Sequence, residues 1–185
     1  LNAGTGFRVV NLFTEEHAAL TGAREVEVTE ELSPERSYNV NLNYLKKWFL
    51  NKAYLSVDGS VWYTHFTNQI LPDYDTDPNK IIYDNLKGHS VSRGLSLNVE
   101  AVLQSGISLR AGASYLDIYT SEVSENGKTI TQRPVLAEEW TGTWALSYKW
   151  KKANLSFDYT GNLYGPMRLP LLGDLDPRDE YSPWW

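Results

Sequence analysis

Eleven residues, Trp140 to Trp150, constrain this chain more than any other stretch. Trp140, Gly142, Trp144, Leu146, Tyr148 and Trp150 fall on one side of an extended strand; Thr141, Thr143, Ser147 and Lys149 fall on the other, with only Ala145 out of keeping. Such period-two alternation marks a strand with one apolar and one polar face. Four large rings on one face sit badly in a soluble sandwich, whose inner faces must interdigitate. They suit a strand whose outer face meets lipid, with aromatics towards both interfaces. After a Lys151-Lys-Ala153 turn the pattern returns, Leu155, Phe157 and Tyr159 against Asn154, Ser156, Asp158 and Thr160. The expectation is a long amphipathic hairpin reaching Met167.

The same alternation organises the rest. Tyr38, Val40, Leu42 and Tyr44 alternate with asparagines at 39, 41 and 43. A turn around Lys46 to Lys52 leads into a strand from Ala53 to Leu71, with Leu55, Val57, Gly59, Val61 and Tyr63 on one face. Ser56, Asp58, Ser60 and Thr64 share the other face with Trp62. A polar loop from Leu71 to Asn79 precedes a descending stretch from Ile81 to Leu103. The Gln104-Ser-Gly106 turn then leads to Ile107, Leu109, Ala111, Ala113 and Tyr115, and a second polar loop spans Ser121 to Arg133. Before Tyr38, Thr14 to Leu20 suits one helical turn, and Val26 to Glu31 a loop or short edge piece. The predicted fold is all-β, an antiparallel meander of six or seven long strands. Short connections gather at one end and long ones at the other, as in a transmembrane β-barrel. Six or seven strands are too few to close one, so the whole of 1–185 reads as part of a barrel.

Composition narrows the function classes. Mean hydropathy is −0.42, but alternating barrel strands give weak hydropathy signals. No run of 18 apolar residues allows a transmembrane helix. A net charge of −6 without a basic stripe argues against nucleic acid as a partner. The absence of cysteine excludes disulfides and thiolate metal sites. Leu1 to Gly6 does not resemble a signal peptide.

Several segments, taken in chain order, resemble the barrel of TonB-dependent outer-membrane receptors of the Bacteroidetes type. Gly6-Phe-Arg8 with Asn11-Leu-Phe-Thr-Glu15 resembles that family's GFR segment, and Leu32-Ser-Pro-Glu-Arg-Ser-Tyr-Asn39 its entry to the next strand. Phe66-Thr-Asn-Gln-Ile70, Tyr83-Asp-Asn85, Ser92-Arg-Gly94 and Arg133-Pro134 follow in order. Tyr159-Thr-Gly161, Tyr164-Gly-Pro-Met167, Leu169-Pro170 and Asp176-Pro-Arg178 complete the set. Plug, TonB box and terminal strand have no counterpart here, and the Gly-Val-Glu triplet is loosened to Gly94 with Val99-Glu100. The resemblance implies a piece of a large plug-filled barrel in the outer membrane, importing a ferric siderophore, a cobalamin or a glycan with energy from TonB. TonB would be reached only through the missing plug, and two open sheet edges would permit self-association.

Catalysis finds no support, and no cofactor is expected. The histidines, His17, His65 and His89, lie far apart in sequence with neither triad order nor metal-ligand spacing. Asp73, Asp75, Asp77 and Asn79 mimic a calcium run, but Pro78 intrudes and neither the turn glycine nor the later Glu is present. No metal site follows. In a receptor the long loops meet the ligand from outside, which nominates Asp73, Asp75, Arg168, Asp174 and Arg178. Trp140, Trp144, Tyr148 and Trp150 are the expected lipid-facing aromatics. The runner-up is a soluble all-β carbohydrate-binding module using those rings; a scaffold without ligand is a third reading.

Overall fold

The computed structural model describes residues 1–9, 25–28, 32–73, 77, 79–123, 127–169 and 180–185. Among these the backbone forms strands β1 (Asn2–Arg8), β2 (Glu25–Val28), β3 (Glu35–Leu50), β4 (Ala53–Thr67), β5 (Ile70–Asp73), β6 (Lys80–Asn85), β7 (Gly88–Leu103), β8 (Ile107–Val123), β9 (Thr129–Gln132), β10 (Trp140–Trp150) and β11 (Leu155–Tyr164). The large sheet runs β1-β3-β4-β7-β8-β10-β11, every neighbour antiparallel, with β9 paired to the end of β8. It is an open wall whose end strands are β1 and β11.

Register turns the alternation of single strands into two continuous faces. Leu42, Val61, Leu95, Tyr115 and Trp140 lie directly across five strands. One residue along, on the opposite face, the row reads Asn43, Ser60, Ser96, Ser114 and Thr141. Slipping any strand by one residue would exchange the faces, so the pattern fixes the pairing. The polar face carries its own bonds, such as Ser60 to Ser96 at 2.6 Å and Ser147 to Asp158 at 2.5 Å. The apolar face is uncovered by protein: Val61 is 56% exposed and Leu95 47%.

Loop lengths segregate as expected. At one end β3–β4 turns through Asn51 and Lys52, β7–β8 through Gln104 to Gly106, and β10–β11 through Lys151 to Asn154. Gly106 (φ 99°) needs glycine, since a Cβ there would strike the Lys149 backbone, and Asn154 (φ 52°) uses asparagine's tolerance of the left-handed region. At the other end, long connections include a second sheet, β2-β6-β5, in which β2 and β6 run parallel. Its cluster of Ile70, Ile81 and Tyr83, with Val26 and Leu32 against it, is the hydrophobic core among the described residues.

The structure corrects several boundaries. β3 continues to Leu50, so Lys46 and Lys47 are strand residues and not part of a turn. The stretch from Ala53 to Leu71 divides where Asn68 (φ 55°) turns the chain out of the wall, and Ile70–Asp73 pairs in the small sheet. Ile81 to Leu103 likewise breaks at Leu86 and Lys87, giving β6 to one sheet and β7 to the other. Apolar residues run through both breaks because they pack in one sheet before them and the other after, so periodicity alone gave no sign. The loop from Ser121 to Arg133 contains β9, and Glu25–Val28 is an edge strand. The helical turn expected at 14–20 lies outside the described residues.

Candidate functional site

The polar chemistry concentrates at the long-connection end, where segments distant in sequence tie together. Glu35, 7% exposed, takes the Arg8 Nε–H on one carboxylate oxygen (2.5 Å) and the Ile70 backbone N–H on the other (2.8 Å). Asn85 accepts from Ser33 N–H (2.7 Å) and donates to the carbonyls of Ser33 (3.0 Å) and Asn68 (2.7 Å). Leu86 N–H donates to Gln69 C=O at 2.7 Å. The Gly6-Phe-Arg8, Leu32-to-Asn39, Phe66-to-Ile70 and Tyr83-to-Asn85 segments thus meet in one knot below the small sheet. An ionised acceptor makes bonds roughly twice as strong as neutral ones, so Glu35 is the centre of that knot.

A second network fastens the later loops. Arg93 pairs with Asp117 at 2.8 Å, and Arg133 reaches Asp117 at 3.7 Å and the Leu116 carbonyl at 3.2 Å while pairing closely with Glu139. Arg168 donates to the Arg133 carbonyl (3.0 Å) and pairs with Glu180 at 3.5 Å; its backbone bridges Tyr181. Arg168 therefore holds three loop segments together, a task its sequence context does not reveal. In the small sheet Lys80 donates to Glu27 at 2.8 Å. That bond, then the Glu27 charge, raises the Lys80 ammonium above its ordinary pKa.

Asp73 pairs through its backbone with Ile82 in β5, and Asp75, Asp174 and Arg178 lie outside the described residues. The Asp77 carboxylate accepts from the Asn79 N–H at 2.8 Å, a local turn bond. Among the described residues no three His, Cys, Asp or Glu side chains converge as a metal would require. His65 and His89, distant in sequence, do come together, with ring centres 5.2 Å apart; only the β4–β7 register could have disclosed this.

Trp140, Tyr148 and Trp150 stand on the apolar face, each between 41% and 46% exposed, and Trp140 packs against Tyr115 at 4.6 Å. Trp144 is half-buried because its ring lies over its cross-strand partner Gly161. Trp62, out of place on the polar face, repeats the device over Gly94.

The sequence matches the family model described as TonB dependent receptor-like, β-barrel, over residues 1–181. No curated protein matches it. Two similar solved structures are the FrpB iron transporter of Neisseria meningitidis, variant F3-3 (TM-score 0.55, 13% identity, 78% of this chain, 21% of that one) and variant F5-1 in apoprotein form (TM-score 0.59, 14% identity, 86% and 24%). The chain spans about a fifth to a quarter of those proteins. At such identity the likeness is one of fold.

Proposed function

We propose, from the premise that this chain belongs to the TonB-dependent receptor-like β-barrel family, that it forms a stretch of wall in a receptor importing a scarce nutrient of the ferric siderophore, cobalamin or glycan class. The family is one of outer-membrane receptors and transporters, not of enzymes, and the chain's location is the outer membrane. No helix among the described residues is long and apolar enough to cross a membrane; crossing falls to the strands. Family membership sets aside the soluble carbohydrate-binding module.

One observation carries the reading: a bare apolar face on a wall whose short turns and long connections lie at opposite ends. Trp140 and Trp150 are ten residues apart, about 33 Å along the strand and about 25 Å along the bilayer normal at a ~40° tilt, the height of an outer-membrane apolar band. Trp140, Trp144, Tyr148 and Trp150 are its lipid-contacting rings in this reading. The polar face lines the lumen. β3, β4, β7 and β8, at 15 to 17 residues, exceed the ~9–11 needed to cross and rise above the bilayer as the base of the outer loops. Asp73, Asp75, Asp174 and Arg178 are the proposed ligand contacts, with Arg168 bracing the loops behind them. TonB acts through the plug of the longer receptor, and the free edges of β1 and β11 take neighbouring strands of the same barrel. Self-association is the fate of those edges only in an isolated segment.

The test is uptake. A strain lacking the receptor is supplied in turn with labelled ferric siderophore, cobalamin and oligosaccharide at growth-limiting concentration. Loss of uptake of one class, restored by the intact gene only when TonB is present, supports the reading. Unchanged uptake of all three overturns it.

A further inference from the structure

Among the described residues, the register of β4 with β7 sets His65 and His89 at diagonal positions on the outer face: Val91 faces His65, and Thr67 faces His89. Both histidines are half-buried, and Val91, which shares their face, is 1% exposed. Their rings are 5.2 Å apart and inclined by 18°. The pair lies two residues beyond Tyr63, towards the long connections, where the strands have left the apolar band.

We propose that His65 and His89 form a two-imidazole site for a transition-metal ion of the zinc, nickel or copper class on the outer wall above the bilayer. An ion that holds one nitrogen of each ring at about 2.1 Å, at a tetrahedral angle, puts the ring centres about 5 Å apart. That is the separation already present. Turning the rings so that both nitrogens face one point uses the His χ2 torsion, whose energy well is broad. The remaining coordination positions fall to water.

The surroundings select the kind of ion. Outward-facing charged or titratable groups nearby are Arg36 and Tyr38 on β3, Arg93 on β7, and Asp117 and Tyr119 on β8. Asp117 is engaged by Arg93 and Arg133, so among the described residues no carboxylate is offered to a calcium or magnesium ion, which would need several oxygens. Imidazole suits zinc, nickel and copper. Arg36, exposed and in the same row as Thr67 and His89, opposes the ion, whereas Arg93 is neutralised by Asp117.

The experiment is a Cu²⁺ titration of the full-length receptor in detergent, purified through a tag without histidine and followed by electron paramagnetic resonance. The titration involves no transport, so its outcome is independent of the import reading. The wild type is expected to show an equivalent of copper with nitrogen ligation that is missing from His65→Gln/His89→Gln. Each single variant should weaken it roughly tenfold or more, with heat-modifiable gel mobility showing each barrel intact. Arg36→Gln should tighten it by removing a repelling charge. Copper binding unchanged in the double variant overturns the proposal. So does weaker binding in Arg36→Gln, the opposite of what the loss of a repelling cation does to Cu²⁺.

Discussion

The two faces of the wall can be told apart by placing one charge at adjacent positions. Leu97 is 49% exposed on the apolar face of β7; Asn98, the next residue, lies on the polar face opposite Asp58 and Gly112. Leu97 shares a row with Gly142, two residues inside Trp140 and eight from Trp150, about 5 and 20 Å along the normal at a ~40° tilt. In the proposed band it therefore lies about 8 Å from the bilayer midplane. Leu97→Arg should cost about 1–3 kcal/mol, between the ranges for arginine facing lipid at the midplane and at the interface. Asn98→Arg meets water and the Asp58 carboxylate, so its effect should stay within about 1 kcal/mol. The assay is urea unfolding of the intact receptor in lipid vesicles, read by heat-modifiable gel mobility. At the middle of these ranges the two variants differ by about 2 kcal/mol, a factor of about 30 in unfolding equilibrium. Equal effects, or a larger one at Asn98, would refute the assignment of faces.

Glu35→Ala should free the small sheet: the Ile70 N–H loses its acceptor, about 1–3 kcal/mol, and the half-exposed Arg8 adds at most about 1 kcal/mol. Amide exchange at Ile70 to Asp73 should quicken while that of β10 is unchanged; unchanged exchange at Ile70 would count against the knot. The two Trp–Gly pairs should behave differently in double-mutant cycles. A Cβ at Gly161 meets the Trp144 ring, so Trp144→Ala should relieve most of the roughly 1–3 kcal/mol cost of Gly161→Ala. A Cβ at Gly94 also strikes the Tyr115 backbone carbonyl, so Trp62→Ala should relieve little of Gly94→Ala; equal relief would show that the backbone clash is absent. Lys80 has a raised pKa when folded, so its contribution is complete below the ordinary lysine value of about 10.4 and lost as pH climbs through the raised one. Side-chain NMR should find its midpoint above the lysine range and Glu27→Gln should lower it; a midpoint that does not move would remove Glu27 as the cause.

The wall was legible in the sequence because its information is local. Leu95, Leu97 and Val99 declare a face by alternation alone, and Gln104-Ser-Gly106 declares a turn. The small sheet was hidden because Glu25–Val28 pairs in parallel with Lys80–Tyr83 across more than fifty residues, a juxtaposition no local period encodes. Trp62 looked like an error of pattern until its partner Gly94 was known. The same holds for His65 and His89, and for Arg8 and Glu35, whose meaning lies in partners that only register supplies. The polar loop nominates Arg168 as a ligand contact, while its ties to the Arg133 carbonyl and the Glu180 carboxylate lie in partners that the sequence does not display.

The neck beneath the small sheet has a consequence for how such a surface can change over time. β4 and β7 are zipped up to Thr67 and His89, and Leu86 N–H to Gln69 C=O closes the insert just above. Everything from Asn68 to Lys87 therefore hangs from a hairpin that is already complete without it. Lengthening such a closed insert costs only about 0.6 kcal/mol per doubling. Changes in sequence and length within that insert can therefore accumulate while the hairpin beneath keeps its pairing unaltered.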